Sequence, residues 1–271
     1  MIIGIDVGGS TTKIVGLEDG EIRSPQFITA ADPITSLFGA FGKYIYDNGI
    51  DLRSVDQVML TGVGSAYIEG SLYGLPTAKT DEFMANALGA RYRSGLDRMI
   101  VVSMGTGTSF IRVDGDTIEH LGGLAIGGGT LQGLSRLLFH THDFRQTVEM
   151  ASKGDTSAVD LQIRDISKEE IPGLPYGVTA SNFGKAESNA RNEDVAAGLV
   201  NMILQAIGSS ANFIAQNTSI KDFVLIGNLS MLPQCRTVFD KIERLYGIRA
   251  HIPEFTEYRT AVGAALSFNG L

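Results

Sequence analysis

The chain has 271 residues, 44% hydrophobic and 19% charged, and its 22 Lys and Arg against 30 Asp and Glu leave a formal charge of −8. This composition excludes a disordered chain, and the lack of any Lys/Arg run argues against nucleic acid or an anionic membrane as the main partner. One cysteine, Cys235, excludes an internal disulfide and any multi-cysteine zinc or iron–sulfur site.

The chain opens on an apolar strand with no basic n-region and no apolar h-region, and no stretch is expected to approach the length of a bilayer span, so the expectation is a cytoplasmic protein. Residues 4–16, GIDVGGSTTKIVG, form the first pattern: strand, tight turn, strand. A bare hairpin turn needs one glycine and no acid. Here Asp6 ends the strand, and Gly8 and Gly9 precede Ser10, Thr11, Thr12 and Lys13, which gather backbone N–H groups, hydroxyls and an ammonium. That set reads as a phosphate cradle, with Asp6 placed to hold a cation that bridges phosphates. The alternative is a plain turn with Asp6 facing solvent.

Helical periodicity follows over 34–49, then a strand running into a glycine loop over 55–64, then a helix over 80–96. At the start of that helix, TDEF has a local reading: Thr80 caps the helix, and Asp81 and Glu82 complement its dipole. Residues 99–118 then repeat the pattern of 1–22 in strand, glycine turn, strand, Asp-Gly turn and strand, so the chain reads as duplicated around a cleft. The second hairpin carries Ser103, Gly105, Thr106 and Gly107, and supplies matching N–H donors to the same anion. The alternative is a duplicated hairpin kept as scaffold. Gly127, Gly128 and Gly129 stand just before a helical stretch over 130–139, where amides and the positive helix end make an anion site, although glycines also terminate strands. No GxxxxGK[ST] motif is present, which excludes the ordinary P-loop.

Further helices are expected over 144–154, 193–217, 233–246 and 261–268, strands over 221–230 and near 249–252, and a loop over 169–185. The strand at 221–230 ends in Gly227 and Asn228. Cys235 reads as a partly buried thiol near the start of a helix. The apolar stripe of 193–217 reads as core or dimer contact. His140, His142 and His251 form no metal-ligand pattern.

The strand–hairpin–strand units around a cleft resemble the actin-like ATPase architecture shared by acetate and sugar kinases, Hsp70 and actin. Within it the chain is most similar to the type II pantothenate kinases, nearly end to end, through GIDVGGSTTKIVG (4–16), LPTAKTDEFMANALGA (75–90), SMGTGTSF (103–110), LGGLAIGGGTLQGLSRLL (121–138), VDLQIRDI (159–166), TASNFGK (179–185), VLIGNLS (224–230) and AVGAALSF (261–268). The resemblance implies an α/β fold of two duplicated ribonuclease-H-like domains, 1–96 and 97–271, flanking a nucleotide cleft. It implies transfer of the γ-phosphoryl group of ATP to the primary hydroxyl of pantothenate, with magnesium, in a homodimer.

By the same resemblance Glu82 takes the hydroxyl proton, Lys13 lies near the transferred phosphoryl group, and Asp6 lies near the magnesium through water. The glycines of both hairpins, Gly127 to Gly129, Gly227 and Asn228 approach the nucleotide, and Ser103 and His120 the acceptor. One position departs from the family pattern: His120 stands where an arginine is usual, and histidine lacks the fixed bidentate fork. That keeps open a kinase of another small hydroxylated metabolite. Two further readings keep the fold and change the class: a non-kinase ATPase, whose dehydratase-activating form needs bridging cysteines, and a nucleotide-binding regulator.

Overall fold

A computed structural model describes the chain except Ser10, Ala30, Ala31, His142, Glu170 and 269–271. β1 (Ile2–Val7), β2 (Thr11–Glu18) and β3 (Glu21–Thr29) form an antiparallel meander, and α1 (Pro33–Asn48) leads to β4 (Gln57–Thr61) and β5 (Thr77–Lys79), which extend the sheet in parallel from β1. α2 (Glu82–Arg91) follows. A second meander, β6 (Arg98–Met104), β7 (Thr108–Asp114) and β8 (Thr117–Leu124), is succeeded by α3 (Gly128–Phe139), α4 (Phe144–Lys153), β9 (Leu161–Gln162), α5 (Ile163–Ile166) and β10 (Thr179–Ser181). The long α6 (Asn192–Thr218), β11 (Asp222–Ile226), α7 (Pro233–Tyr246), β12 (Arg249–His251) and α8 (Arg259–Ser267) complete the order.

The sheets run β3-β2-β1-β4-β5 and β12-β11-β6-β7-β8. Read from the third strand of each meander, the second order repeats the first, with β6, β7, β8, β11 and β12 in the places of β1 to β5. The repeat seen in the two hairpins therefore extends through both whole sheets.

Period-two alternation assigns each face a partner. In the first sheet Ile3, Ile5, Val7, Val58 and Leu60 pack on Leu37, Phe41 and Tyr44 of α1. The opposite face meets α8 through Val15, Ala261 and Val262, and both central helices through Met59, Ala85 and Ala264. In the second sheet Met99, Val101, Ile111, Val224 and Ile226 pack on Ala87 and Ala90 of α2. Ile100, Val102, Met104 and Phe110 pack on α6 through Leu199, Ile203, Leu204 and Ile207. Two helices thus lie between the sheets, and the C-terminal one, α8, packs against the N-terminal sheet.

These helices pack closely because they lack side chains where they meet. A Cβ on Gly263 would fall 1.7 Å from the Ala85 carbonyl oxygen, and one on Gly89 1.8 Å from the Arg259 oxygen. Gly4 of β1 admits α8 in the same way, with a Cβ position 2.0 Å from the Ala261 oxygen. Arg259 is 4% exposed and donates to the Gly89 and Tyr92 carbonyls at 3.1 and 2.6 Å. A cation thereby satisfies the last carbonyls of α2.

Three local expectations change. The helix expected over 80–96 stops at Arg91, and its cap is Asp81, whose carboxylate accepts from the Phe83 and Met84 amides at 2.9 and 3.0 Å; the Thr80 amide instead donates to Leu60 and prolongs the strand pairing. The 169–185 loop contains β10, paired with β9. Finally, α6 has 27 residues and the length and apolarity of a membrane span, contrary to the expectation of no such stretch, and 61% of its most apolar window is buried inside this protein.

Gly263→Val should therefore lower stability by about 3 kcal/mol or more, because backbone, not a movable side chain, meets the new group. Gly39→Ala in α1, with nothing within 4 Å of the new methyl, should raise it by about 0.5–1 kcal/mol. Urea denaturation of the two variants checks both signs.

Candidate active site

The β1–β2 hairpin pairs Asp6 directly with Lys13 across the strands. Both are buried, at 8% and 6% exposure, and the Lys13 ammonium lies 3.5 Å from Asp6 Oδ2. Burial outweighs that partner: the Asp6 carboxyl is pushed up from its ordinary value despite the neighbouring cation. Its negative charge is therefore under-compensated, which is the condition that invites a further cation.

β4 supplies the next wall. Thr61 stands in register with Asp6, and Gly62, at φ +84, passes so close that a Cβ would come within 2.5 Å of Asp6 Oδ1. A side chain here would both strain the backbone and displace the carboxylate. Thr61 was not singled out from the sequence, where LTGVG reads as strand end and loop. It is fully buried, and its hydroxyl has no hydrogen-bond partner among the described residues.

From β5 the chain turns at Thr80 and Asp81 into α2, so that Glu82 opens the helix, half-buried. Its carboxyl is raised above the ordinary 4.5, first by burial, then by the charges of Asp6 and Asp81, with Lys13 opposing. The structure thus brings Asp6, Lys13 and Glu82 into one electrostatic cluster.

The second hairpin faces α3. Gly128 and Gly129 donate their amides to the Gly105 and Thr106 carbonyls at 2.8 and 2.9 Å, and the Gly127 amide donates to Thr130 Oγ1 at 3.2 Å. These glycines are needed for contact: a Cβ on Gly127 would lie 2.7 Å from Gly107 and Thr106 backbone atoms. The three amides are therefore engaged within the protein, and the helix entry braces the hairpin. Thr106 is exposed at the turn. In the first hairpin the Gly8 amide is likewise taken, by the Thr11 carbonyl at 2.9 Å, while Gly9 is exposed in open space. The expected role of Ser10 lies outside the described residues.

Gly227, at φ +94, repeats Gly62: its Cβ position is 2.5 Å from the Met104 carbonyl oxygen. Asn228 follows, and its buried Oδ1 has no partner among the described residues. Ser103 continues the Met99–Val101 row toward α2, in register with Ile226. His120 pairs with Ile111 on that same face, and its ring stacks on Phe83 with centroids 4.0 Å apart and planes 11° apart. His120 is thereby held beside the residue that follows Glu82, a contact no sequence pattern announces. Cys235 is wholly buried in α7 and its thiol is pushed up to about 12.

The Fumble family model matches residues 44–267 of the chain. A type II pantothenate kinase of Staphylococcus aureus (strain USA300) is 27% identical over 278 aligned positions, covering 97% of this chain and 98% of that protein. Among solved structures, the activator of the 2-hydroxyisocaproyl-CoA dehydratase from Clostridium difficile with bound ADPNP superposes with a TM-score of 0.70 at 15% identity, covering 98% of this chain and 93% of its own. A ROK family glucokinase from Streptomyces griseus in complex with glucose and AMPPNP gives 0.57 at 17% identity, covering 98% of each. The fold is thus the two-domain actin-like ATPase fold expected from the repeated hairpins.

Removing one partner of a buried ion pair leaves the other charge stranded. Lys13→Met should cost about 3 kcal/mol near neutral pH, and the double variant Asp6→Asn with Lys13→Met much less. Without the ammonium the Asp6 carboxyl rises further, so the stability of Lys13→Met should be fullest at acid pH and fall as pH climbs through that raised value. Thermal melts across pH on the two single variants and the double variant measure the coupling.

Proposed function

We propose that this chain, which belongs to the Fumble family of type II pantothenate kinases, transfers the γ-phosphoryl group of ATP to the primary hydroxyl of pantothenate, the first step toward coenzyme A. The observation that carries this reading is the raised carboxyl of Glu82 beside the buried Asp6–Lys13 pair. A carboxylate made more basic by burial is a better proton acceptor, provided the site keeps it ionised at working pH. In the reaction Glu82 takes the proton as the acceptor oxygen bonds to the γ-phosphorus. The bond from that phosphorus to the β–γ bridging oxygen breaks, and ADP leaves.

Lys13, held by Asp6, keeps donors free to face the transferred phosphoryl oxygens, and its charge balances what develops there. On this reading the exposed turns at Gly9 and Thr106, one from each sheet, lie along the polyphosphate. Gly227 and Asn228 are assigned to the nucleotide, and Ser103 and His120 to the acceptor. As an imidazole stacked on Phe83, His120 offers ring-edge N–H donors rather than a guanidinium fork.

Magnesium suits the donors present. Among the described residues no cluster of three or more His, Cys, Asp or Glu could by itself enclose an ion. A cation that keeps its waters and is bound through one or two carboxylates plus phosphates fits the single under-compensated Asp6. Bound with the nucleotide, the ion neutralises charge on the phosphates.

The likeness to a dehydratase activator supports the fold and not that activity. Cys235, the one cysteine, is enclosed in a helix with a raised thiol, far from the exposed thiolate that a bridging cluster takes. A homodimer, on this reading, is checked by sedimentation.

Glu82→Gln should lower pantothenate-dependent kcat by about 10²–10⁴-fold with ATP affinity retained. The wild-type kcat/KM should fall with acid along a limb centred above 4.5, because the base works only when ionised and its value is raised. In Glu82→Gln that limb should vanish. Coupled-assay rates across pH, with and without pantothenate, decide it; ADP release indifferent to pantothenate refutes the acceptor.

A further inference from the structure

Thr61 is the one member of the buried polar cluster that the reaction above does not use. Its place is fixed by the sheet. Met59 lies on the face that meets α2 and α8, Val58 and Leu60 on the face that meets α1, so Thr61 shares the face of Met59. Asp6 pairs in register with Thr61 on one side and with Lys13 on the other, which puts the three polar groups in a row on one face. Lys13 occupies one flank of Asp6. Thr61 occupies the other, the flank toward β5 and the start of α2.

The internal repeat shows that the fold does not require a hydroxyl there. In the second sheet the same pairings join Ser103 to Ser109 and to Ile226, so Ile226 is the counterpart of Thr61, as Gly227 is of Gly62. Ile226 is fully buried among apolar neighbours. The first sheet instead keeps a fully buried hydroxyl with no partner among the described residues, an unfavourable arrangement unless a ligand completes it. What it lies beside is a buried carboxylate whose one close cation among the described residues, Lys13, is 3.5 Å away.

We propose that the Thr61 hydroxyl is a second anchor for the nucleotide-bound divalent cation, holding with Asp6 a water of the cation's hydration shell. Neighbouring strands stand about 4.8 Å apart, a separation that one water bridges with a hydrogen bond to each group; the Thr61 hydroxyl is fully buried here, so the entering complex must displace its present neighbours to seat that water. The water donates to the Asp6 carboxylate and to Thr61 Oγ1, and the hydroxyl proton goes to a second water. Outer groups of this kind orient hydrated ions and tune their affinity. The inference rests on the cleft as a metal–nucleotide site and is independent of which hydroxyl is phosphorylated.

The test uses the full chain with Mn2+ as a paramagnetic probe and adenylyl imidodiphosphate as nucleotide. Thr61→Val removes the hydroxyl at constant shape, Thr61→Ser keeps it, and Thr61→Ala stands in if the valine variant does not fold. Thr61→Val should weaken Mn2+ binding to the protein–analogue complex about tenfold, and Thr61→Ser should stay near wild type. Analogue affinity in EDTA should be unchanged, and the melting temperature of Thr61→Val should equal or exceed that of wild type. Unchanged Mn2+ affinity in a folded Thr61→Val, or an equal loss of analogue affinity in EDTA, overturns the proposal. A wild-type protein whose analogue complex binds no Mn2+ would overturn the metal–nucleotide reading as well, so the two failures are told apart.

Discussion

The crossing of α2 and α8 is the contact on which the arrangement of this protein depends. Two glycines, 89 and 263, bring the helix backbones within reach of each other, and Gly4 of β1 seats α8 on the sheet in the same way. No other residue type allows that approach. The two helices are what each sheet sees of the other, so their separation sets the spacing of the two sheets. Glu82 is the first residue of α2, and the carboxylate can act on the Asp6–Lys13 pair only because the helix is seated at this depth. Arg259, opening α8, closes the far end of α2 by donating to its last carbonyls. Both ends of α2 are therefore pinned from outside: one by Arg259, the other by the Asp81 carboxylate at its cap.

Electrostatics follows from that seating. Two carboxylates and one ammonium share a desolvated space, and burial dominates both carboxyl shifts. Lys13, 3.5 Å from Asp6, brings neither that acid nor Glu82 back down to its ordinary value. Such a site is a poor place for an isolated anion and a good one for a complex that brings cations along with phosphates. The charge of −8 spread over the chain makes the same point on a larger scale, since an anionic ligand must be held by local groups rather than by the protein's overall field.

Much of this was legible in the sequence, and the limits have physical causes. The hairpins announced themselves because an Asp at a strand end before paired glycines and hydroxyls is a combination a simple turn does not need, and the repetition at 99–118 gave the cleft. Gly127 to Gly129 were legible as special and not as to why: sequence cannot distinguish a glycine that frees an amide from one that admits a neighbouring backbone, and here the amides are engaged with Gly105, Thr106 and Thr130. Asp81 and Thr80 are both good caps by type, and only the strand pairing of the Thr80 amide decides between them. The stack of His120 on Phe83 joins residues 37 positions apart on elements of different kind, which no periodicity encodes. The long helix expected over 193–217 is α6, and it passes for a bilayer span in length and apolarity because a helix enclosed between a sheet and other helices is apolar for the same reason a span is. Thr61 was missed for want of one comparison, VMLTGVG against FVLIGNLS, in which a threonine stands opposite an isoleucine.

That comparison carries the general lesson of the duplicated architecture. The pairings that join Asp6 to Lys13 and Thr61 in one sheet join Ser103 to Ser109 and Ile226 in the other. The two glycines that follow, 62 and 227, have the same positive φ and the same contact with a strand-end carbonyl, so the backbone is common property of both halves. What differs is which side chains were spent on charge. In the first half the row is cation, anion, hydroxyl; in the second it is hydroxyl, hydroxyl, hydrocarbon. A symmetric backbone thus carries an asymmetric site. The half with buried charge must bear its desolvation, and the half without it is free to pack tightly on α2 through Ile226, Val101 and Met99. Because α2 is seated on the well-packed half while its first residue reaches the charged half, the rigidity of one sheet holds Glu82 in place against the other. The uncharged counterparts of Asp6 and Lys13, and Ile226 in the place of Thr61, are therefore part of how the site is built.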